Sequence, residues 1–297
     1  MELRHLRYFV AVAEELSFTR AAQRLHIGQP PLSQAIQALE HDVGATLLDR
    51  SRRWVRLTDA GRMFLNDARE ILALASKAAD TARRAEIGQV GDLRIGFNNS
   101  TPLTPIFSDT INSYRSGAPL VRLHFSELPT MQQIDAIRAR TLDVGFLRPP
   151  ETPVDDDIRM LRLRINPLRV FTPLGHRLSG SESIAVKDLR DEQFVMFRRD
   201  LGTTLYPQIQ RMCHLEGFEP IIAMEVREVG TIIGLVAAGC GIAILPDIFE
   251  RIRIENVAVM PLADPVGSTD LLLAHRSDET SAVVTSFVHI AARTDAA

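Results

Sequence analysis

Along the first sixty residues apolar positions recur every three or four places, with two interruptions. Leu3, Leu6, Phe9, Val10, Ala13 and Leu16 form one stripe, which predicts a first helix with a single buried face. Ser17 or Thr19 can accept a backbone N–H at the start of a second helix. There Ala21 and Ala22 leave room for a crossing neighbour, and Leu25 and Ile27 fill the corner. Gly28 permits a sharp turn. Gln29-Pro30-Pro31 opens a third helix, because proline is favoured where its missing N–H would be an orphan anyway. Leu32, Ile36, Leu39 and Val43 are its inward stripe. Two short runs, 47–50 and 55–57, then pair as a hairpin, with Ser51, Arg52 and Arg53 at its tip. Residues 1–58 therefore read as a winged helix-turn-helix.

The next stretch, 59–90, changes rhythm. Gly61, Phe64, Ala68, Ile71, Ala75, Ala78, Ala82 and Ala85 alternate at spacings of three and four, a seam whose alanines allow close approach of a second helix. Gly88 and Gly91 end it. The spacing predicts a long linker helix that pairs with a second copy of itself.

From Asp92 short apolar strands alternate with helices. Strands are expected at 93–97, 120–125 and 143–147, with helices at 103–115 and 131–140 between them, the order that builds a parallel sheet covered by helices. A second set follows Pro149-Pro150, with strands at 162–173, 194–198, 220–226 and 241–246 and helices at 206–216 and 232–238. The chain then returns through a strand at 271–275 to a final helix near 281–292. The fold class is thus α/β overall: an N-terminal winged helix-turn-helix, a linker helix, and a bilobed, periplasmic-binding-protein-like domain. One lobe comprises 91–161 with 267–297, the other 162–266.

Composition narrows the classes. With 45% apolar and 24% charged residues, the 297-residue chain is ordinary for a globular protein and long enough for two or three domains. No run reaches the ~20 apolar residues of a membrane span, and the first ten residues, MELRHLRYFV, lack the pattern of a secretion signal. A cytoplasmic protein without a membrane partner is expected. The net charge of −3 argues weakly against nucleic acid, but residues 50–56 carry Arg50, Arg52, Arg53 and Arg56 and no acid. A groove feels local charge rather than the total.

Two sets of candidate binding residues emerge. On the third helix Gln29, Pro30, Ser33, Gln34 and Gln37 lie on the outward face near its start, where amide side chains can hydrogen-bond base edges. Arg50, Arg52 and Arg53 are placed to grip phosphates or enter the minor groove. The partner implied is double-stranded DNA. In the bilobed domain, open α/β sheets bind ligands at the carboxyl ends of their strands. Asn98, Asn99, Ser100 and Thr101 follow the first strand, Thr130 heads a helix and Arg148 follows the third strand. In the second half Gly202, Thr203 and Thr204 precede one helix, and Val229, Gly230 and Thr231 another. Hydroxyls and N–H groups at helix starts, with one arginine, suit a small anion such as a carboxylate. Arg148 has two alternatives, a structural ion pair or a second site.

Enzyme signatures are missing: the sequence has no Walker lysine loop, H-E-x-x-H, G-x-S-x-G or full dinucleotide fingerprint. Neither cofactor nor metal is expected. Cys213 and Cys240 offer no disulfide framework. A redox switch through them is the alternative to ligand control.

The order S-F-T-x-A-A-x-x-L (17–25), Q-P-x-L-S-x-x-I-x-x-L-E (29–40), G-x-x-L-L-x-R (44–50) and L-T-x-A-G (57–61) resembles the LysR-type transcriptional regulators. Within that family the chain looks closest to the regulators of aromatic-compound and muconate catabolism. The resemblance implies a ligand-responsive activator that dimerises through its linker helix and assembles into a tetramer. It further implies a near-palindromic operator, contact with RNA polymerase and effector contacts around Ser100, Thr130 and Thr203. A muconate-like or aromatic carboxylate is the effector so implied.

Overall fold

A computed structural model describes residues 1–50, 54–150, 152–201, 204–263 and 267–294, and the chain divides into two compact units, Met1–Arg84 and Ala85–Ala297. The first unit opens with α1 (Leu3–Glu15), α2 (Phe18–Arg24) and α3 (Gln29–Val43). A two-stranded antiparallel hairpin of β1 (Leu48–Arg50) and β2 (Val55–Leu57) follows, then the 28-residue α4 (Asp59–Glu86). Of the two candidate caps, Ser17 is the one that accepts the Arg20 N–H. Leu6, Phe9, Leu32, Ile36 and Leu39 are fully buried in one cluster. Truncating a buried Phe such as Phe9 to Ala costs about 3–5 kcal/mol.

The L-T-x-A-G segment has a specific physical reason. The Thr58 hydroxyl donates to the Thr46 carbonyl at 2.8 Å and accepts the Gly61 N–H at 2.9 Å, so it caps α4 and ties it to the hairpin. Gly61 is buried there, and a Cβ on it would overlap the Leu47 carbonyl oxygen.

The linker seam differs from its sequence expectation. Gly61, Phe64 and Ala68 do not wait for a second copy: they pack, with Leu65 and Leu72, on the helix-turn-helix core, where Phe64 meets Phe9 edge-on at 5.3 Å. Glu14 reinforces this contact by accepting from both Arg69 and Arg24 at 2.8 Å. Beyond that point α4 is exposed, with Ile71 and Leu74 as its outward apolar residues and Ala78, Ala82 and Ala85 following.

In the second unit β3 (Val90–Phe97), α5 (Pro105–Gly117), β4 (Leu120–Glu127), α6 (Thr130–Arg138) and β5 (Val144–Leu147) form the expected β-α-β-α-β run, with β3 parallel to both β4 and β5. The following strand, β6 (Ile158–Pro173), starts earlier than its pattern suggested and runs unbroken through both lobes. After it come β7 (Gln193–Phe197), α7 (Leu205–Leu215), β8 (Ile221–Val226), α8 (Val229–Ala237), β9 (Ala243–Pro246), β10 (Val257–Pro261), β11 (Ser268–Arg276) and α9 (Ala282–Thr294). Sequence reasoning missed β10, a short apolar run without clear alternation.

The large sheet runs β10-β6-β11-β5-β3-β4, with β9 also on β6; β7 and β8 pair in parallel separately. Up to Pro167 β6 pairs antiparallel with β11, and from Leu168 onward with β9 and β10. Its side chains follow suit: Leu163 belongs to the core with Ile95, Phe146, Leu273 and Phe287, whereas Leu168 and Val170 belong to the core with Phe194, Ile232 and Ile244. One strand thus serves two cores.

Glycines in β3 and β5 make space for a buried amide. A Cβ on Gly96 or Gly145 would lie 2.9 or 2.6 Å from Oε1 of Gln133, whose Nε2 donates to the carbonyls of Leu128 and Phe146. Gln133 thereby holds two backbone segments that lead to the strand ends. At the opposite end of the sheet, buried Asp143 accepts from the Arg94 backbone N–H at 2.8 Å and from its guanidinium at 3.0 and 2.7 Å, and lies 3.5 Å from Arg276. Burial raises the Asp143 pKa, but the Arg94 hydrogen bonds and the two guanidinium charges outweigh it and hold the carboxyl below its ordinary value.

Two outcomes follow. Gly61→Ala should destabilise the first unit by about 3 kcal/mol through backbone overlap; hydrogen exchange should show faster opening in residues 1–84 and unchanged protection in the sheet of the second unit. Because the folded Asp143 pKa is depressed, its contribution is complete above an unfolded carboxylate value of about 3.9 and fades as pH falls through the lower folded value. Asp143→Asn should therefore lower the melting temperature of the second unit at pH 7 and lessen its acid sensitivity below about pH 4, as read by calorimetry.

Candidate effector cleft and DNA-reading face

The parallel arrangement of β3, β4 and β5 brings their carboxyl ends to one side, and the segments leaving them line a cleft against the other lobe. Asn98, Asn99, Ser100, Pro129, Thr130 and Arg148 form one wall with Thr269; Phe197, Thr204, Leu205, Pro246 and Phe249 form the facing one. The open volume is about 70 Å³. Small-molecule pockets usually offer about 300 Å³ or more.

Arg148 is the centre of the polar wall. It is 7% exposed. Its Nε and Nη2 donate to the Ser100 hydroxyl at 3.3 and 3.2 Å, and its Nη1 donates to Asn166 Oδ1 at 2.8 Å and to the Asp270 carbonyl at 3.3 Å. All three acceptors are neutral oxygens. The ion pair allowed for Arg148 by the sequence is therefore not made with any described residue. Burial lowers its pKa to about 10, while the nearby carboxylates of Asp247 and Asp270 act in the opposite direction. At neutral pH the group is still a cation, desolvated and without a contacting counter-charge.

The neighbouring hydroxyls play distinct parts. Ser100 donates to Asn98 Oδ1 at 2.8 Å while accepting from Arg148, so its proton is engaged within the wall. Thr130, buried at the first residue of α6, has only a long 3.4 Å bond to the Arg148 carbonyl. Its hydroxyl is the freer donor.

Not every expected residue lines the cleft. Thr101 is fully buried and turns its hydroxyl back to Asn98 at 2.9 Å, because it opens a tight 3-10 turn. Gly230 is exposed in the first turn of α8, outside the lining. Arg227 and Glu228, just before that helix, instead share a concavity at the cleft mouth with Asn98, Asn99 and Glu127. Thr203 and Gly202 lie outside the described residues, whereas Thr204 is in the lining. Sequence reasoning missed Phe197, Pro246, Phe249 and Thr269, since nothing local marks them. It also missed Asn166, whose signal was a lone amide inside an otherwise apolar and basic strand.

Cys213 is fully buried and free, and burial pushes its thiol up to about 12, the reverse of what a reactive thiolate needs. Cys240 is also free. A disulfide switch finds no support in this chemistry.

In the first unit α3 presents Gln29, Pro30, Gln34 and Gln37 to solvent, with Ser33 half-buried. The Thr19 hydroxyl on α2 donates to Gln29 Oε1 at 3.3 Å, which holds this side chain at the helix start. Arg50 departs from its expected role. Its guanidinium pairs with Glu40 on α3 and stands 5.1 Å from the Phe18 ring centroid, so it braces the hairpin and does not reach outward. Glu40 also accepts the Leu47 and Leu48 N–H groups at 2.9 and 3.0 Å. Arg56 lies 4.9 Å over the ring of Trp54. Arg52 and Arg53 lie outside the described residues. Among the described residues no cluster of His, Cys, Asp or Glu could hold a metal ion, and no helix is long and apolar enough to cross a membrane.

Residues 3–62 match the family described as bacterial regulatory helix-turn-helix protein, lysR family, and residues 87–296 match the LysR substrate binding domain. The chain is 43% identical over 273 residues to the HTH-type transcriptional regulator YnfL of Escherichia coli, covering 92% of this chain and 91% of that protein. It is 34% identical over 295 residues to the regulator BenM of Acinetobacter baylyi, covering 96% and 93%. The crystal structure of full-length CbnR complexed with its target DNA superposes with a TM-score of 0.87 at 27% identity, covering 99% of this chain and all of that one. These relatives are named as regulators, not enzymes. The chain belongs to the LysR family of DNA-binding transcriptional regulators, with a helix-turn-helix at its amino end and a substrate-binding domain after it.

Proposed function

We propose that this regulator is switched by a small organic carboxylate that enters the cleft and lies against Arg148, with Thr130 as a second donor. Arg148 carries the reading: a guanidinium 7% exposed, held only by neutral oxygens, in the lining of a cleft between two lobes. A carboxylate there restores the missing counter-charge, and an arginine fork suits its geometry. Phe197, Leu205 and Phe249 on the facing wall favour a carboxylate with an unsaturated or aromatic body, such as a muconate or a benzoate. With about 70 Å³ open, the lobes must shift about β6 to admit such a ligand. A few kcal/mol of differential affinity between the two arrangements is enough to move the equilibrium.

On the DNA side Gln29, Ser33, Gln34 and Gln37 read base edges, and Arg52 and Arg53 grip the backbone. The exposed part of α4, from Ile71 through Ala85, pairs with a second copy. Two reading helices then stand about one DNA turn apart on a near-palindromic operator. Dimers pair into a tetramer whose change of shape is felt by RNA polymerase.

Thr130→Val should leave operator affinity unchanged and weaken carboxylate binding by tenfold or so, the cost of one hydrogen bond to a charged group; calorimetric titration with benzoate and cis,cis-muconate measures it, and unaltered binding removes Thr130 from the site. Gln29→Ala should relax preference at one operator position by about 1–3 kcal/mol. Arg53→Ala should instead weaken binding to every sequence and reduce the slope of log K against log salt by about one unit. Fluorescence anisotropy over a set of operator variants separates the two.

A further inference from the structure

Asn166 is fully buried at the point where β6 leaves one lobe for the other. Its Oδ1 accepts from Arg148 Nη1 at 2.8 Å, and its Nδ2 donates to Asp247 Oδ1 at 2.9 Å. Arg148 follows β5 in one lobe; Asp247 follows β9 in the other. A cation and an anion thus approach the same amide from opposite lobes, and among the described residues neither is in an ion pair.

The amide has only one usable orientation. Turned over, its NH2 would oppose the guanidinium donors and its oxygen would oppose the Asp247 carboxylate. As placed, it satisfies one donor and one acceptor and adds no charge. Were Arg148 to meet Asp247 directly, the two would neutralise each other and the cleft would hold no cation for a ligand.

We propose that Asn166 is a specificity-determining residue of the effector cleft: its neutral amide separates Arg148 from Asp247 and so keeps the guanidinium charge for a carboxylate ligand. The proposal rests on the reading of Arg148 as the anion contact. It adds that selectivity for charged over neutral ligands is set by a residue that touches the ligand's partner and not the ligand. Asp247 is the opposing element, a negative charge one amide away that limits how strongly the cleft attracts anions. Its position on the far lobe means that ligand charge is sensed across the β6 crossing.

The test uses the full-length protein, with benzoate and cis,cis-muconate as charged probes and benzamide as the neutral one, titrated calorimetrically. The unsubstituted chain should prefer at least one carboxylate to benzamide. Asn166→Asp places a carboxylate on Arg148 and should lower affinity for that probe by about tenfold or more, with benzamide binding unchanged. Asp247→Asn removes the opposing charge and should raise carboxylate affinity by about threefold or more; a merely structural Asp247 would give the same or weaker binding. Carboxylate preference that survives Asn166→Asp in a folded protein, or affinity that does not rise in Asp247→Asn, overturns the role of Asn166. If circular dichroism shows that Asn166→Asp does not fold, the Asp247→Asn result decides alone. Should the unsubstituted chain bind neither carboxylate better than benzamide, the anion reading of the cleft fails, and this inference with it.

Discussion

A guanidinium removed from water and met only by neutral oxygens is a costly object to build into a protein. Arg148 is tolerated because the surrounding fold supplies acceptors at fixed places: Ser100 after β3, Asn166 within β6 and the Asp270 carbonyl in β11. Each of those strands would have to move for the cation to be released. The rest of the sensor can be understood as the frame that holds this arrangement. Gln133, seated over two strand glycines, anchors the segments before Thr130 and Arg148. At the far end of the sheet the Asp143–Arg94–Arg276 cluster ties β3 and β11 to the segment that enters β5.

The reading unit follows a similar logic with a different outcome. One of its arginines serves to brace and not to reach. Arg50 is consumed by Glu40 and Phe18, which fixes the hairpin on the end of α3. Thr58 and Gly61 then set how α4 leaves the hairpin, since a cap hydroxyl and a missing Cβ allow the helix backbone to touch Leu47. The first turns of α4 belong to the domain that they leave, and only the later turns remain for another chain. Periodicity alone could not divide that seam, because a packed face and a pairing face repeat at the same spacing.

Local pattern was enough for the winged helix-turn-helix, the long linker helix, the parallel β3-β4-β5 core and the placing of Ser100, Thr130 and Arg148 at strand ends. These follow from spacing of three and four against two, from proline and glycine positions, and from the rule that parallel strands end on one side. Each needs only neighbours in sequence. What depended on tertiary structure is where distant segments meet. Thr101 and Ser100 are adjacent hydroxyls in one turn, yet one faces the core and the other Arg148. Gly230 sits in the first turn of its helix, as Thr130 does, yet it lies outside the cleft. The unbroken passage of β6 through both lobes and the amide between Arg148 and Asp247 join residues up to 99 positions apart, from 148 to 247. Hydrogen-bond partners at that separation are chosen by packing, and no run of neighbouring residues encodes them.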